Sequence, residues 1–346
     1  MRKFLLAVML LVSLAVPVSA VEISAPEVPE FAAARMPADT SSFPDALTEL
    51  FRKALGQVRP DLQEAGGISS VVVCAGMLLS VLQGFSGSAK RWVQGAGGLL
   101  VASVLLSGTN SLVRLAAGTV QELGDYGKLL LPVMTAAMAA QGGAVTSTAL
   151  YTGTAFFDMI LSSLISKLMI PAVYLFLALS VASAAGEEAL LKKLREMIRG
   201  FIGWSLKAIL TVFTTYMSIT GAVSGTTDAV ALKATKMTIS TVVPVVGGIL
   251  SDASETVLVS AALVKNTAGV YGILAILAVF LTPFLTIGVH YLLMKLTAAL
   301  CGILGSGRLT DMTEAFSTAM GLLLAMTGSV CVLQLVSTIC FLKGIR

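Results

Sequence analysis

The chain has 346 residues, of which 56% are hydrophobic and only 12% charged, with a formal net charge of +4 and a mean hydropathy of +0.91. Soluble domains carry about 25% charged residues, so this much apolar surface calls for lipid as its solvent. The small positive excess is scattered and forms no basic patch, which excludes nucleic acid as a partner.

Residues 1–20 read as a secretory signal peptide. Arg2 and Lys3 form a charged start, Phe4 to Val16 an apolar core, and Val18-Ser19-Ala20 a small-residue cleavage site. Cleavage there would leave Val21 outside the cytoplasm. Residues 21–44 form an acidic, proline-rich extracytoplasmic linker with Pro26, Pro29, Pro37 and Pro44 among Glu22, Glu27, Glu30 and Asp39. Across 45–64, Leu47, Leu50, Phe51, Ala54, Leu55 and Val58 recur at helical spacing with charges between them, which predicts an amphipathic helix ended by Pro60.

Residues 65–346 predict a multispan membrane domain. A first span runs over about 68–85, Lys90 and Arg91 follow, and a second runs over 93–113. The charge-free stretch Leu129 to Phe157 contains Pro132, the pair Gly142-Gly143, and the hydroxyls Thr146, Ser147 and Thr148. A span over 168–186 is followed by a surface helix, "EEALLKKLREMIRG", and then by a span over 201–223. The stretch 237–264 is again apolar but interrupted by Asp252 and Glu255, with Ser254 between them. A span over 266–294 holds Pro283 and the only histidine, His290, and the final span covers 316–342. On that last span Gly321, Ala325 and Ser329 recur every four residues, a face for close helix packing.

Pro132 and Pro171 lie 39 residues apart, as do Pro244 and Pro283, with an offset of 112 between the pairs. The order of span, polar link, broken stretch and proline span repeats at that offset, giving repeats of about 93–199 and 205–311. Side-chain identities across 129–186 number only five, so the order of elements carries this reading. Leu129 to Ala140 is about 18 Å of helix, too short for about 30 Å of hydrocarbon. The sequence therefore predicts an all-α, polytopic integral membrane protein with an internal duplication and two broken or re-entrant helical hairpins, at 129–150 and 241–263. Broken helices are tolerated at membrane depth only inside protein or beside water, so the hairpins mark a candidate translocation path. With Val21 outside, the loops 187–200 and 295–315 fall inside in a parallel arrangement, and full spans at the broken stretches would instead make the repeats inverted.

Intramembrane polar groups are the remaining candidates for that path. Asp158 and Lys167 are nine residues apart, which puts them about 13 Å apart along one helix and argues against a direct pair. Asp252 and Glu255 would sit at the second hairpin tip, as cation ligands or as loop charges. His290 reads as a packing histidine or a proton relay. The four cysteines, Cys74, Cys301, Cys331 and Cys340, lie in apolar stretches without a CxxC pair, which argues against a zinc site. No HExxH, GxSxG or Walker A pattern occurs in the sequence, so the expectation is a protein without catalytic turnover, metal or cofactor.

The signal, the acidic lead, and the stretches "LPVMTAAMAAQGGAVTSTAL", "VPVVGGILSDASETVLVSAALVKNTAGVYG" and "LTPFLTIGVHYLLMKLTAAL" together resemble the stage III sporulation protein AE family of endospore-forming bacteria, over nearly all of residues 45–346. The resemblance implies a multi-pass protein of the mother-cell membrane surrounding the forespore. It implies a place in a specialised, secretion-like channel between the two cells, needed for late forespore gene expression. It also implies partners: other stage III sporulation A-type membrane proteins, including a secretion-type ATPase. It implies no catalytic or ligand residues. The alternative from the residues alone is a stand-alone secondary transporter with a solute or ion site at the two hairpins.

Overall fold

The structure is a computed structural model and describes residues 33, 35–37, 43–85, 90–140, 144–185, 189–220, 267–303 and 307–344. The expected signal peptide at 1–20, most of the expected linker at 21–44, Gly142 and Gly143, and the stretch expected to form the second hairpin, with Asp252, Ser254 and Glu255, lie outside the described residues. The described elements are helices: α1 (Phe43–Phe85), α2 (Lys90–Ala140), α3 (Ala144–Leu164), α4 (Ile170–Ala185), α5 (Ala189–Ile219), α6 (Thr267–Ile303) and α7 (Gly307–Gly344). A π-helical turn, Ile165–Met169, joins α3 to α4. Six stretches of helix, with α3 and α4 counted as one rod, are long and apolar enough to cross a membrane. The protein is a polytopic, all-helical membrane protein.

Three boundaries differ from those expected. Pro60 lies inside α1 and does not end it. A proline removes one backbone hydrogen bond, here to the carbonyl of Gly56. Ala46, Leu50, Ala54, Val58, Ala65, Val72 and Leu79 keep one buried stripe running through the proline, so packing holds the helix on course. The amphipathic segment 45–64 and the first span are therefore one helix. Likewise, the charged surface helix at 187–200 and the span after it merge into α5. Its buried residues Ile202, Ser205, Leu206, Leu210, Phe213 and Met217 start just beyond the charges. Third, residues 129–140 are not a separate short limb. They are the end of the 51-residue α2, with Pro132 inside it.

α2, which ends at Ala140, and the α3–α4 rod, which begins at Ala144, lie antiparallel. Gly124 faces Asp158 and Ser162. Farther along, the Tyr174 hydroxyl donates to Asn110 Oδ1 at 2.9 Å. From Asn110 to Ala140 is about 45 Å of helix, well beyond about 30 Å of hydrocarbon. The π turn precedes Pro171, whose ring would crowd the carbonyl of Lys167 in a regular helix. The wider turn relieves this, and the Ile170 N–H bonds to Ile165 O.

The other pairings fix the direction of each helix. Gly97 meets Leu79 and Gly108 meets Ile68, so α1 and α2 are antiparallel. The Thr282 hydroxyl reaches Gln57 Oε1 at 3.2 Å and that of Thr286 reaches Asp61 Oδ2 at 2.5 Å, so α1 and α6 are parallel. Ser317 Oγ donates to Tyr291 O at 3.3 Å and Lys295 pairs with Glu314 at 3.8 Å, so α6 and α7 are antiparallel. Residues 43, 140, 144, 219, 267 and 344 thus share one end of the bundle. Residues 85, 90, 185, 189, 303 and 307 share the other.

α7 is the axis: 94% of its most apolar stretch is buried, against 72% for α6 and far less for the outer helices. The outer helices present large apolar side chains outward, among them Leu78, Val81, Leu100, Met159, Leu175 and Val212. Exposed charges interrupt this surface partway along the rods, at Arg114, Asp125, Lys128, Lys167 and Lys207. Forty residues of helix extend about 60 Å, so only part of the bundle's height fits within one hydrocarbon layer.

Candidate functional site

The polar residues expected at the first hairpin divide by position. Thr146 and Thr148 are exposed and Ser147 is buried, all in the first turns of α3. Ser147 Oγ and Thr148 Oγ1 both donate to Ala144 O, at 3.0 and 2.8 Å, so they serve their own helix. They stand at the end of a rod rather than at its centre. His290 is buried, with Nδ1 2.9 Å from Thr286 O, and so is also tied to its own helix. Lys167 is exposed on the π turn and does not meet Asp158. Gly321, Ala325 and Ser329 are all buried on α7. A Cβ on Gly321 would lie 3.3 Å from the Tyr291 ring, as a close-packed face requires. Ser329 Oγ returns to Ala325 O at 2.6 Å.

Asp158 is different. It sits on the inward face of α3 and is only 4% exposed. Its Oδ1 accepts a hydrogen bond from Gln334 Nε2 of the central helix at 3.0 Å. Gln334 is 1% exposed. Two glycines of α2 make the room. A Cβ on Gly127 would overlap the Gln334 amide, and one on Gly124 would lie 3.3 Å from Ser162 Oγ and 3.7 Å from Asp158 Oδ2. The only basic side chain described near this point on α2, Lys128, is turned outward and bound to Asp125 at 2.8 Å. A buried carboxylate held by one neutral amide is expensive, because removing an ion from water costs several kcal/mol that a single neutral hydrogen bond does not offset.

Buried hydroxyls without partners occur on the same two helices, α2 and α3. Most threonines in these helices return their hydroxyl to the carbonyl four residues back, as Thr135, Thr148 and Thr152 do at 2.7, 2.8 and 2.9 Å. Thr154 Oγ1 does not, and neither it nor Ser162 Oγ finds a partner, although both atoms are buried. Thr154, Asp158 and Ser162 are four residues apart and lie along one face of α3, about 6 Å per step. The Tyr126 hydroxyl on α2 is likewise buried without a partner. Gln334, Gly124 and Gly127 carried no signal in the sequence. A lone glutamine within an apolar run was the only available hint.

Among the described residues no three His, Cys, Asp or Glu side chains gather as a metal site. No solved structure matches the chain. Over 208 residues it is 26% identical to the stage III sporulation protein AE of Bacillus subtilis (strain 168), a match that covers 60% of this chain and 52% of that protein. The chain thus spans about half the length of the curated relative it matches. Residues 33–343 match the family described as stage III sporulation protein AE. That match takes in every helix of the bundle, and the chain belongs to the stage III sporulation protein AE family.

Proposed function

We propose that this multi-pass membrane protein of sporulating cells is the membrane component of a channel complex in the mother-cell membrane around the forespore. The family match over 33–343, with six helices able to cross a bilayer, carries the reading. The end of the bundle at 90, 189 and 307 holds Lys90, Arg91, Lys192, Lys193, Arg195, Arg199, Lys295 and Arg308. By the positive-inside rule that end faces the mother-cell cytoplasm, where a secretion-type ATPase would dock. The end of the bundle with Ala140 and Ala144 then faces the space between the two membranes. In the proposed duplication, α2 corresponds to α5, the α3–α4 rod to α6, and α5 to α7. Each pair runs in the same direction, which favours parallel over inverted repeats. Purification of the full chain from sporulating cells should recover other stage III sporulation membrane proteins and an ATPase in fixed proportion. Recovery of the chain alone from gently solubilised membranes would defeat the proposal.

A second reading, a stand-alone secondary transporter, is favoured by one observation, the buried Asp158–Gln334 pair. Solute uptake by the purified protein in liposomes, with no partner present, would establish it. The residues expected at the second hairpin, Asp252, Ser254 and Glu255, stay with this reading as candidate ligands.

A further inference from the structure

We propose that Asp158, with Thr154, Ser162 and Gln334, forms a binding site for one monovalent cation, sodium or a proton, inside the bundle. The inference does not depend on whether the chain is a channel subunit or a transporter. Three independent features meet here. The first is a carboxylate shielded from solvent whose described hydrogen-bond partner, Gln334, is neutral. The second is a pair of buried hydroxyl oxygens, Thr154 Oγ1 and Ser162 Oγ, one turn to either side on the same helix face and without partners. The third is space: Gly124 and Gly127 leave the opposite wall without side chains, and Ser162 and Asp158 face Gly124 directly.

The chemistry of the donors selects the ligand class. Carboxylate and hydroxyl oxygens are hard ligands, suited to a hard cation. One carboxylate balances one positive charge, and the neighbouring carboxylate of Asp125 on α2 is already paired with Lys128, so a divalent ion would leave the interior charged. The charged groups around the pair do not supply this balance. On α2, Lys128 is engaged by Asp125 and both are more than half exposed. On the same rod Lys167 is exposed, and on α5, packed against α3, so is Lys207. α7 contributes only the amide of Gln334. A sodium ion would sit between the Asp158 carboxylate and Ser162 Oγ, which both face Gly124. A proton would reside on a carboxylate oxygen and be donated to Ser162 Oγ. No bond other than the O–H forms or breaks.

The test is the melting temperature of the purified full chain in detergent, in choline, sodium and potassium chlorides of equal strength, each at an acidic and an alkaline pH. A ligand at about ten times its dissociation constant shifts the folding equilibrium about 11-fold. For a chain of this size that is a rise of about 2 °C. Sodium binding predicts this rise on replacing choline by sodium at alkaline pH. Proton binding predicts it on acidification in any of the salts. Either should vanish in Asp158→Asn, which keeps the shape and a hydrogen bond to Gln334, and persist in Asp125→Asn. If Asp158→Asn fails to fold, Ser162→Ala should raise the cation concentration, or proton concentration, at half effect several-fold. Wild-type melting that ignores both salt and pH, a full shift retained in Asp158→Asn, or an unmoved midpoint in Ser162→Ala would each overturn the site.

Discussion

Asp158 and Gln334 stand 176 residues apart in sequence and 3.0 Å apart in the bundle, tying the second arm of the α2–α3 hairpin to the central helix. Removing one partner differs from removing both. Gln334→Leu leaves a buried carboxylate with no described partner and should destabilise by about 3 kcal/mol or more. Asp158→Leu leaves only a neutral amide and should cost about 1–3 kcal/mol. The double variant should be more stable than the sum of the two, with a coupling of about 0.5–3 kcal/mol in denaturant melts. Additive losses would mean that the contact carries no coupling.

Gly127 is predicted to be irreplaceable for the same reason. In Gly127→Ala the new methyl displaces the Gln334 amide and breaks its bond to Asp158, for a loss of about 1–3 kcal/mol. Gly118, on the same helix, has open space where a Cβ would stand. Gly118→Ala should therefore be neutral or stabilising by up to about 1 kcal/mol, through helix propensity alone. Comparing the two melting temperatures checks the prediction.

Tyr216 anchors α5 to the start of α3. Its hydroxyl donates to Ala149 O at 2.7 Å, and its ring lies where a Cβ on Gly153 would stand. Tyr216→Phe should lose about 0.5–1.5 kcal/mol, the net worth of the hydrogen bond. Gly153→Ala should lose more, since the Tyr216 ring has to move and with it its contact with Phe157, whose ring centroid lies 5.9 Å away. Melting temperatures of the two variants, compared with that of the wild type, should report both.

Topology is testable at described positions. In a cysteine-free background, Thr146→Cys and Ile219→Cys should react with a membrane-impermeant thiol reagent from the same face. Ile303→Cys should react only from the opposite one. All three side chains are exposed. Labelling of Thr146→Cys and Ile303→Cys from one face would contradict the direction assigned to the helices.

Removing the signal peptide should leave a mature chain beginning near Val21, which intact-mass measurement of the membrane-extracted protein will show. Retention of residues 1–20 would reverse the reasoning that places Val21 outside.

Class and approximate spans were written in the sequence, because both are local. Runs of apolar residues bounded by charge must cross lipid, and a glycine–alanine–serine stripe such as Gly321, Ala325 and Ser329 packs wherever a neighbour arrives. The tertiary structure decided what local signals leave open. Pro60 predicts a helix end, yet a proline subtracts one hydrogen bond, while the buried stripe from Ala46 to Leu79 adds apolar contact on both sides of it. Leu129 to Ala140 measured alone is too short to span, but as the last turns of α2 it is not a separate limb at all. Asp158 was visible as an intramembrane charge, whereas its partner was not. An amide on α7, two glycines on α2 and two hydroxyls on α3 become one site only because three helices distant in sequence pack there. A buried polar group is satisfied by whatever packing brings near it, and no spacing along one helix encodes that.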